Sequence, residues 1–300
     1  MSSSEVRRTG NRRKAIGCGN LRPFQAMQTH ASRTHLAGLL LLGAILTSIE
    51  AQSQDRAPIE ADSLEANPNR PSSSNSASTL QAGVLQLEYG WTREWDGMGI
   101  RGSDLGGELR FGLTNRIELR WGGSPYITQF DGSDRTAGFG DQYLGTQVIV
   151  QKESPRVPTI AFSYDIKFPT ASRSENLGTG RVDHSLGFLA SKNSHEFTFD
   201  FNVFAEIIGR AGAPGFDKNG IAILAISHGI IGPLGAIGEV SGETRLNSLT
   251  PAYATNLWAL TYQLRKRLVV DCAMDVGLTS GAPRMRALFG LTVAIGKFGH

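Results

Sequence analysis

The stretch that decides the fold is Glu108-Leu-Arg-Phe-Gly-Leu-Thr-Asn-Arg-Ile-Glu-Leu-Arg-Trp-Gly-Gly123. Its two arms each alternate an apolar side chain with a charged or small one, and Thr114-Asn115-Arg116 punctuates them. Alternation with period two is the signature of a strand with two unlike faces. Leu109, Phe111 and Leu113 fall on one face, and Glu108, Arg110 and Gly112 on the other. An apolar face turned to a core makes a soluble sheet. An apolar face turned to lipid puts the charges inside.

The pattern recurs along the chain from Val84. Leu85, Leu87, Tyr89 and Trp91 share a face, as do Leu144, Thr146, Val148 and Val150. Ile160, Phe162, Tyr164, Ile166 and Phe168 oppose Ser163, Asp165 and Lys167. Phe197, Phe199, Phe201, Val203 and Ala205 oppose Thr198, Asp200, Asn202 and Glu206. Ile221, Ile223 and Ala225 mark a further strand whose opposite face is also apolar. Leu234–Glu243 is diluted by glycine, and Asn256, Trp258, Leu260 and Tyr262 follow. Leu268, Val270, Cys272, Met274 and Val276 alternate with Asp271, Ala273, Asp275 and Gly277, and Phe289, Leu291, Val293 and Ile295 form the last set. About twelve strands of roughly 8–12 residues result, and a tilted membrane strand needs about 9–11.

The connections alternate in length. Short ones are expected near 114–116, 152–157, 191–194, 229–233 and 264–267, and mostly longer ones near 94–104, 123–138, 169–181, 209–219, 245–252 and 279–286. Even strand number, short periplasmic turns and longer outer loops describe a bacterial outer-membrane barrel. A soluble sandwich has no reason to segregate loop lengths. Tyr89, Trp91, Trp121, Tyr164, Trp258 and Tyr262 fall near strand ends, where interfacial girdles lie. The expected fold is all-β: a closed antiparallel transmembrane barrel over residues 82–300, because only helices and closed barrels satisfy backbone polar groups in lipid.

The N-terminal region agrees. Leu36–Ile49 is an apolar run after Arg33, too short to span a bilayer as a helix, and Ala51 is a plausible last leader residue. Residues 1–51 therefore read as an N-terminal extension and secretory signal, with Met27 as an alternative start. Residues 52–81, rich in Ser, Asn and Pro, read as a polar flexible segment or a partial plug. The chain carries 30 cationic and 27 acidic residues. Seven of the former and two of the latter precede position 52, which leaves 23 against 25. The net positive charge thus belongs to the leader and gives no support for nucleic-acid binding. Glycine is abundant at 36 residues, as a chain of turns and strands requires. Two cysteines, Cys18 and Cys272, allow no disulfide framework.

The inward positions supply the candidate functional residues: Glu108, Arg110, Glu118, Arg120, Asp165, Lys167, Asp200, Glu206, Glu239, Asp271 and Asp275. Across the 114–116 turn Arg110 should stand opposite Arg120, an unfavourable pairing that Glu108 and Glu118 can bridge. One reading makes this a basic spot for anionic solutes, facing an acidic side built from Asp200, Glu206, Glu239, Glu243, Asp271 and Asp275. The other makes it a charge ladder that fills a narrow barrel. Catalysis is not expected. His184 should face lipid and Ser185 the lumen, whereas a nucleophile and its base must lie within hydrogen-bond reach. Gly138, Gly140 and Gly145 lie in no strand-to-helix context, so they do not form a phosphate loop. His195 and His228 have no carboxylate partner at metal-ligand spacing, and neither a cofactor nor a metal is expected.

Arg110–Leu119 ("RFGLTNRIEL"), Gly138–Gln147 ("GFGDQYLGTQ") and Lys167–Thr170 ("KFPT") together resemble the MetA-pathway phenol-degradation family of outer-membrane proteins. Asn69–Ser74 resembles the Arg-Pro segment that opens its mature chains, and "LQLEYGW" its first strand. The resemblance runs from about residue 69 to the end. It implies a β-barrel and uptake of phenolic or related compounds, and it carries no catalytic residues. Outer-membrane barrels commonly end on an aromatic residue, and here Phe298 is followed by Gly299 and His300. The functional expectation is a passive outer-membrane channel or transporter that passes or binds small solutes. The alternatives are a non-conducting structural or adhesive barrel and, last, a membrane enzyme. Expected partners are outer-membrane lipid and lipopolysaccharide, the barrel-assembly machinery and the solutes themselves.

Overall fold

The protein is described from a computed structural model covering residues 64–96, 101–131, 134–172, 177–247 and 250–298. The leader expectation over residues 1–51, the first part of the polar segment, and Gly299 and His300 lie outside the described residues.

The strands are β1 (Val84–Trp95), β2 (Arg101–Thr114), β3 (Ile117–Asp131), β4 (Asp134–Gly138), β5 (Gln142–Gln151), β6 (Thr159–Phe168) and β7 (Asp183–Ser194), followed by β8 (Phe197–Gly209), β9 (Phe216–Ile231), β10 (Leu234–Glu243), β11 (Tyr253–Arg265), β12 (Leu268–Gly277) and β13 (Met285–Lys297). Each pairs antiparallel with its neighbour. β1 closes on β13, and β2 also pairs with β3, so the sheet is a closed barrel of twelve strands with the short β4 appended to β3. Closure removes the edges that an open sheet would present.

The faces are sorted inside out. Phe162, Leu186, Phe201, Leu224, Met274 and Phe289 are exposed on the outer wall, Leu186 at 57%. Gln86, Arg110, Glu118, Gln147, Asn202 and Thr292 are fully buried inside. So large an exposed apolar surface marks a lipid-facing wall, since soluble monomers rarely expose more than a few hundred Å² in one patch. The opening hairpin follows the rule. Leu119 is exposed, Arg110, Glu118 and Arg120 are buried, and the register sets Arg110 opposite Arg120 and Phe111 opposite Leu119.

Two expectations need correction. The long connection expected over 123–138 is largely strand. Gly122-Gly123-Ser124-Pro125 reads as a terminator, but the ladder slips there by one residue and β3 runs on to Asp131. Residues Ile127–Asp131 then leave β5 and form a hairpin with β4. A bulge absorbs the glycines and the proline without ending the strand. The second correction is the sense of β9. Ile221, Ile223 and Ala225 face the lumen, while Leu224 and Ile226 face outward. Ile221 and Ile223 pack with Ala77, Ile149, Ala161, Leu189 and Phe204 in one apolar cluster inside the barrel.

Ala77 belongs to a segment, residues 64–83, that runs inside the barrel before entering β1. Its main chain is fastened strand by strand. Asn67 N–H donates to Gln86 at 2.8 Å, and Arg70 N–H to Glu88 at 3.1 Å. Ser73 N–H donates to Glu239 at 2.9 Å, Asn75 N–H to Asn202 at 2.6 Å, Ala77 N–H to Ser191 at 2.7 Å and Leu80 N–H to Glu118 at 2.8 Å. Buried main-chain donors must find partners, and here inward side chains supply them.

Candidate functional site

Strand parity delivers a ring of charged side chains to the lumen, and the internal segment divides it. In the half nearer the short turns the charges are consumed by one another and by the segment. The Arg110 guanidinium lies 2.8 and 3.0 Å from the two Glu118 oxygens and 2.5 Å from Glu88, and it donates to the Asn67 carbonyl at 2.9 Å. Glu239 accepts from Ser72, Ser73 and Ser74. Asp271 holds the Arg70 guanidinium at 3.4 Å. That guanidinium occupies space which a Cβ at Gly90 or Gly290, paired across β1 and β13, would fill. Asp200 accepts from the Ser191 hydroxyl at 2.5 Å, and the same hydroxyl oxygen accepts Ala77 N–H.

In the half nearer the long loops the charges line open space. A cavity of about 400 Å³ is floored by Asn69, Arg70, Ser72, Ser73 and Asn75 and walled by strands β1–β3 and β5–β10. Its wall carries Glu88, Asp104, Glu108, Asp165, Asp183, Glu206 and Glu243 against only Arg70, Arg120 and Lys167. Tyr143, turned inward on β5, donates its hydroxyl to Glu108 at 3.0 Å, and its ring lies where a Cβ at Gly122 would stand. Arg120 donates to both Asp165 oxygens at 3.0 and 3.1 Å. Lys167 is held by Asp141, by Asp183 at 2.8 Å and by the Thr179 hydroxyl at 3.0 Å. Asn219 donates to Glu206 at 3.2 Å and to Glu243 at 2.8 Å, and Tyr253 donates to Glu243.

The eleven residues expected from the sequence therefore separate. Glu108, Arg120, Asp165, Lys167 and Glu206 come together around the cavity. Arg110, Glu118, Glu239 and Asp271 lie against the internal segment, Asp200 touches it through Ser191, and Asp275 pairs with Arg286 at 2.8 Å. The basic spot anticipated at Arg110 and Arg120 does not form, because Arg110 is sealed among carboxylates and Arg120 is matched by Asp165. Lys167, also turned to the lumen, is neutralised in the same way, between two aspartates. Gln86, Glu88 and Gln147 complete the grip on the segment. Their inward parity was available in the sequence, while their pairing with the expected polar segment was not. The His184 ring stacks on Tyr164 with a 2.8 Å hydrogen bond, and His184 and Ser185 both border the cavity.

The family profile described as "Putative MetA-pathway of phenol degradation" matches residues 68–295. The chain belongs to this family. Among solved structures, an outer membrane channel from Pseudomonas putida F1 superposes with a TM-score of 0.58 at 12% identity, covering 76% of this chain and 99% of that one. The NanC porin gives a TM-score of 0.48 at 10% identity, over 70% of this chain and 98% of its own. The KdgM porin gives 0.47 at 10% identity, over 70% and 99%. No curated protein matches the chain in sequence. The Pseudomonas likeness carries the fold, a membrane-spanning barrel of the outer-membrane kind.

Proposed function

We propose that this family member is a passive outer-membrane channel for small solutes, constricted by its own residues 64–83 and selective for cations or neutral molecules over anions. The observation that carries the reading is the wall of the cavity, where six carboxylate side chains besides the Arg110-bound Glu88 face three cationic ones that are themselves engaged with carboxylates. Fixed charge of one sign in a narrow lumen raises the local concentration of ions of the other sign. Tyr143, Phe204 and Ile208 add apolar surface to the same wall, which suits a small neutral aromatic such as a phenol better than its anion. The family description points to the same solute class. Passive passage requires no energy input.

Planar-bilayer recording tests the reading. The intact chain should conduct weakly with a cation-selective reversal potential, and deletion of residues 64–80 should raise the conductance. Liposome swelling should admit phenol faster than benzoate. A second reading, a non-conducting barrel whose loops do the binding, draws on the filled lower lumen. It predicts no current from the intact chain and no swelling with any solute. An anion-selective current would overturn the proposed selectivity.

A further inference from the structure

The outer wall carries a charged patch that a channel function leaves unused. At the long-loop end of β1–β4, the outermost register row reads Trp95, Arg101, Phe130, Arg135 across four adjacent strands. The next row toward the bilayer holds Arg93, Ser103, Thr128 and Ala137, and the one beneath it Trp91, Leu105 and Tyr126. Trp91, Leu105 and Tyr126 are each about two-fifths exposed on the lipid side. Three arginines therefore stand immediately above an aromatic and apolar belt.

Their geometry is prepared. The Arg93 guanidinium lies 5.9 Å from the Trp95 ring and 5.8 Å from the Phe130 ring, and that of Arg135 lies 5.9 Å from Phe130. Phe130 thus serves as a shared platform for two guanidinium groups. Arg93 donates to the Ser103 hydroxyl at 3.0 Å, and Arg135 to the Tyr126 hydroxyl at 2.9 Å. Among the described residues none of the three arginines has a carboxylate within 4.0 Å, and no outward position of these rows holds an acid. Elsewhere in the barrel Arg110, Arg120, Arg210 and Arg286 are each paired with carboxylates. Stacking fixes a guanidinium while leaving its N–H groups directed outward, and the planar fork matches phosphate oxygens in pairs.

We propose that Arg93, Arg101 and Arg135 form a docking site for the phosphate groups of lipid A in the outer leaflet. The proposal rests on the outer-membrane reading, which puts the long loops outside. It assigns the patch one occupant, because in that leaflet the anionic groups at the boundary between headgroup and acyl chains are lipid A phosphates. The belt of Trp91, Leu105 and Tyr126 would lie against its acyl chains.

Native mass spectrometry of the full-length protein, with bisphosphorylated lipid A as the probe, tests the site. Correct insertion is checked by heat-modifiable gel mobility. The intact protein should retain bisphosphorylated lipid A about 10-fold more tightly than the dephosphorylated form. Arg93→Gln combined with Arg135→Gln should abolish that preference. Arg210→Gln, at the same end but paired with Asp217, should keep it. Arg101→Glu puts a carboxylate in the middle of the row without touching the stacked pair, and it should also abolish the preference. Equal retention of the two lipids by the intact protein overturns the proposal, as does a preference that survives the double substitution or tight binding of phosphatidylglycerol in place of lipid A. A protein that inserts and conducts yet shows no lipid preference loses this site and keeps its channel function.

Discussion

Arg110 and Arg120 face each other across one hairpin, yet they sit in different chemical worlds. Arg110 lies under the internal segment with no exposure, enclosed by Glu88 and Glu118 and capped by the Asn67 carbonyl. Arg120, its direct cross-strand partner, lies at the wall of the cavity and has Asp165 as its ion-pair partner. The same residue type at the same register serves as a structural fixture in one half of the lumen and a wall charge in the other. The boundary between the halves is drawn by residues 64–83, which do not belong to the hairpin at all.

The largest effect that would break this comparison is on stability. Arg110→Met leaves Glu88 and Glu118 facing each other without their cation, and removing one partner of a buried ion pair costs about 3–5 kcal/mol. Denaturant unfolding in micelles, followed by gel mobility, should register that loss. Arg120→Met leaves only Asp165, beside open space, and should cost about 1 kcal/mol. Equal costs for the two variants would mean that the lumen is not divided. A smaller effect is expected where the segment is latched. Gly90→Ala with Gly290→Ala puts methyl groups where the Arg70 guanidinium lies, and the contact falls on the flexible end of a side chain, so the barrel should fold. Arg70 should leave Asp271. The loss of that contact, about 1 kcal/mol, should speed amide hydrogen exchange over residues 69–75 by about 5-fold. Unchanged exchange would remove Arg70 as a latch.

What could be read in advance follows the same division. Wall parity and the Arg110–Arg120 pairing are local consequences of period two, so the hairpin alone contained them, and the strand number followed from repeating that period along the chain. The segment's place inside the barrel is not local. Its donors include the main-chain N–H groups of Asn67, Asn69, Arg70, Ser73, Ser74, Asn75, Ala77 and Leu80. A stretch of Ser, Asn and Pro reads as a flexible segment or a partial plug and does not say which wall residues it meets. The legible half of each bond was the acceptor, an inward Glu88, Glu239 or Asn202 with no visible reason to be there. β9 was ambiguous for a related reason. Ile221 and Ile223 are as apolar as Leu224 and Ile226, and the choice between them depends on Ala77, far away in sequence.

The upper half of the lumen makes a milder prediction. Arg120→Gln removes a wall cation while Glu108 and Asp165 remain, so the reversal potential should move further toward cation selectivity, by about 2-fold in permeability ratio. Arg110→Gln, where it folds, should leave the ratio unchanged, because no solute reaches that guanidinium. A shift of equal size from both would show that the segment does not shield Arg110.

The smallest effect lies outside the membrane, at the short-turn end. Glu153, in the turn between β5 and β6, accepts from Lys192 at 2.9 Å and from the Asn193 main chain and side chain at 3.0 and 2.7 Å. The hydrogen bond from Lys192, first, and those from Asn193 hold its carboxyl below the ordinary value of 4.5. A carboxyl whose folded value is depressed adds stability above its unfolded pKa and loses it as the pH falls through the folded value. The contribution is therefore complete at neutral pH and fades only below about pH 4.5. It is small because the pair sits at the water-facing surface of the turn, about 0.3 kcal/mol after screening. Glu153→Gln should flatten that slight acid dependence of the unfolding midpoint and leave the conductance untouched. A change in conductance would tie the turn to the lumen, whereas the fastening of residues 64–83 to inward side chains of the barrel wall keeps the two apart.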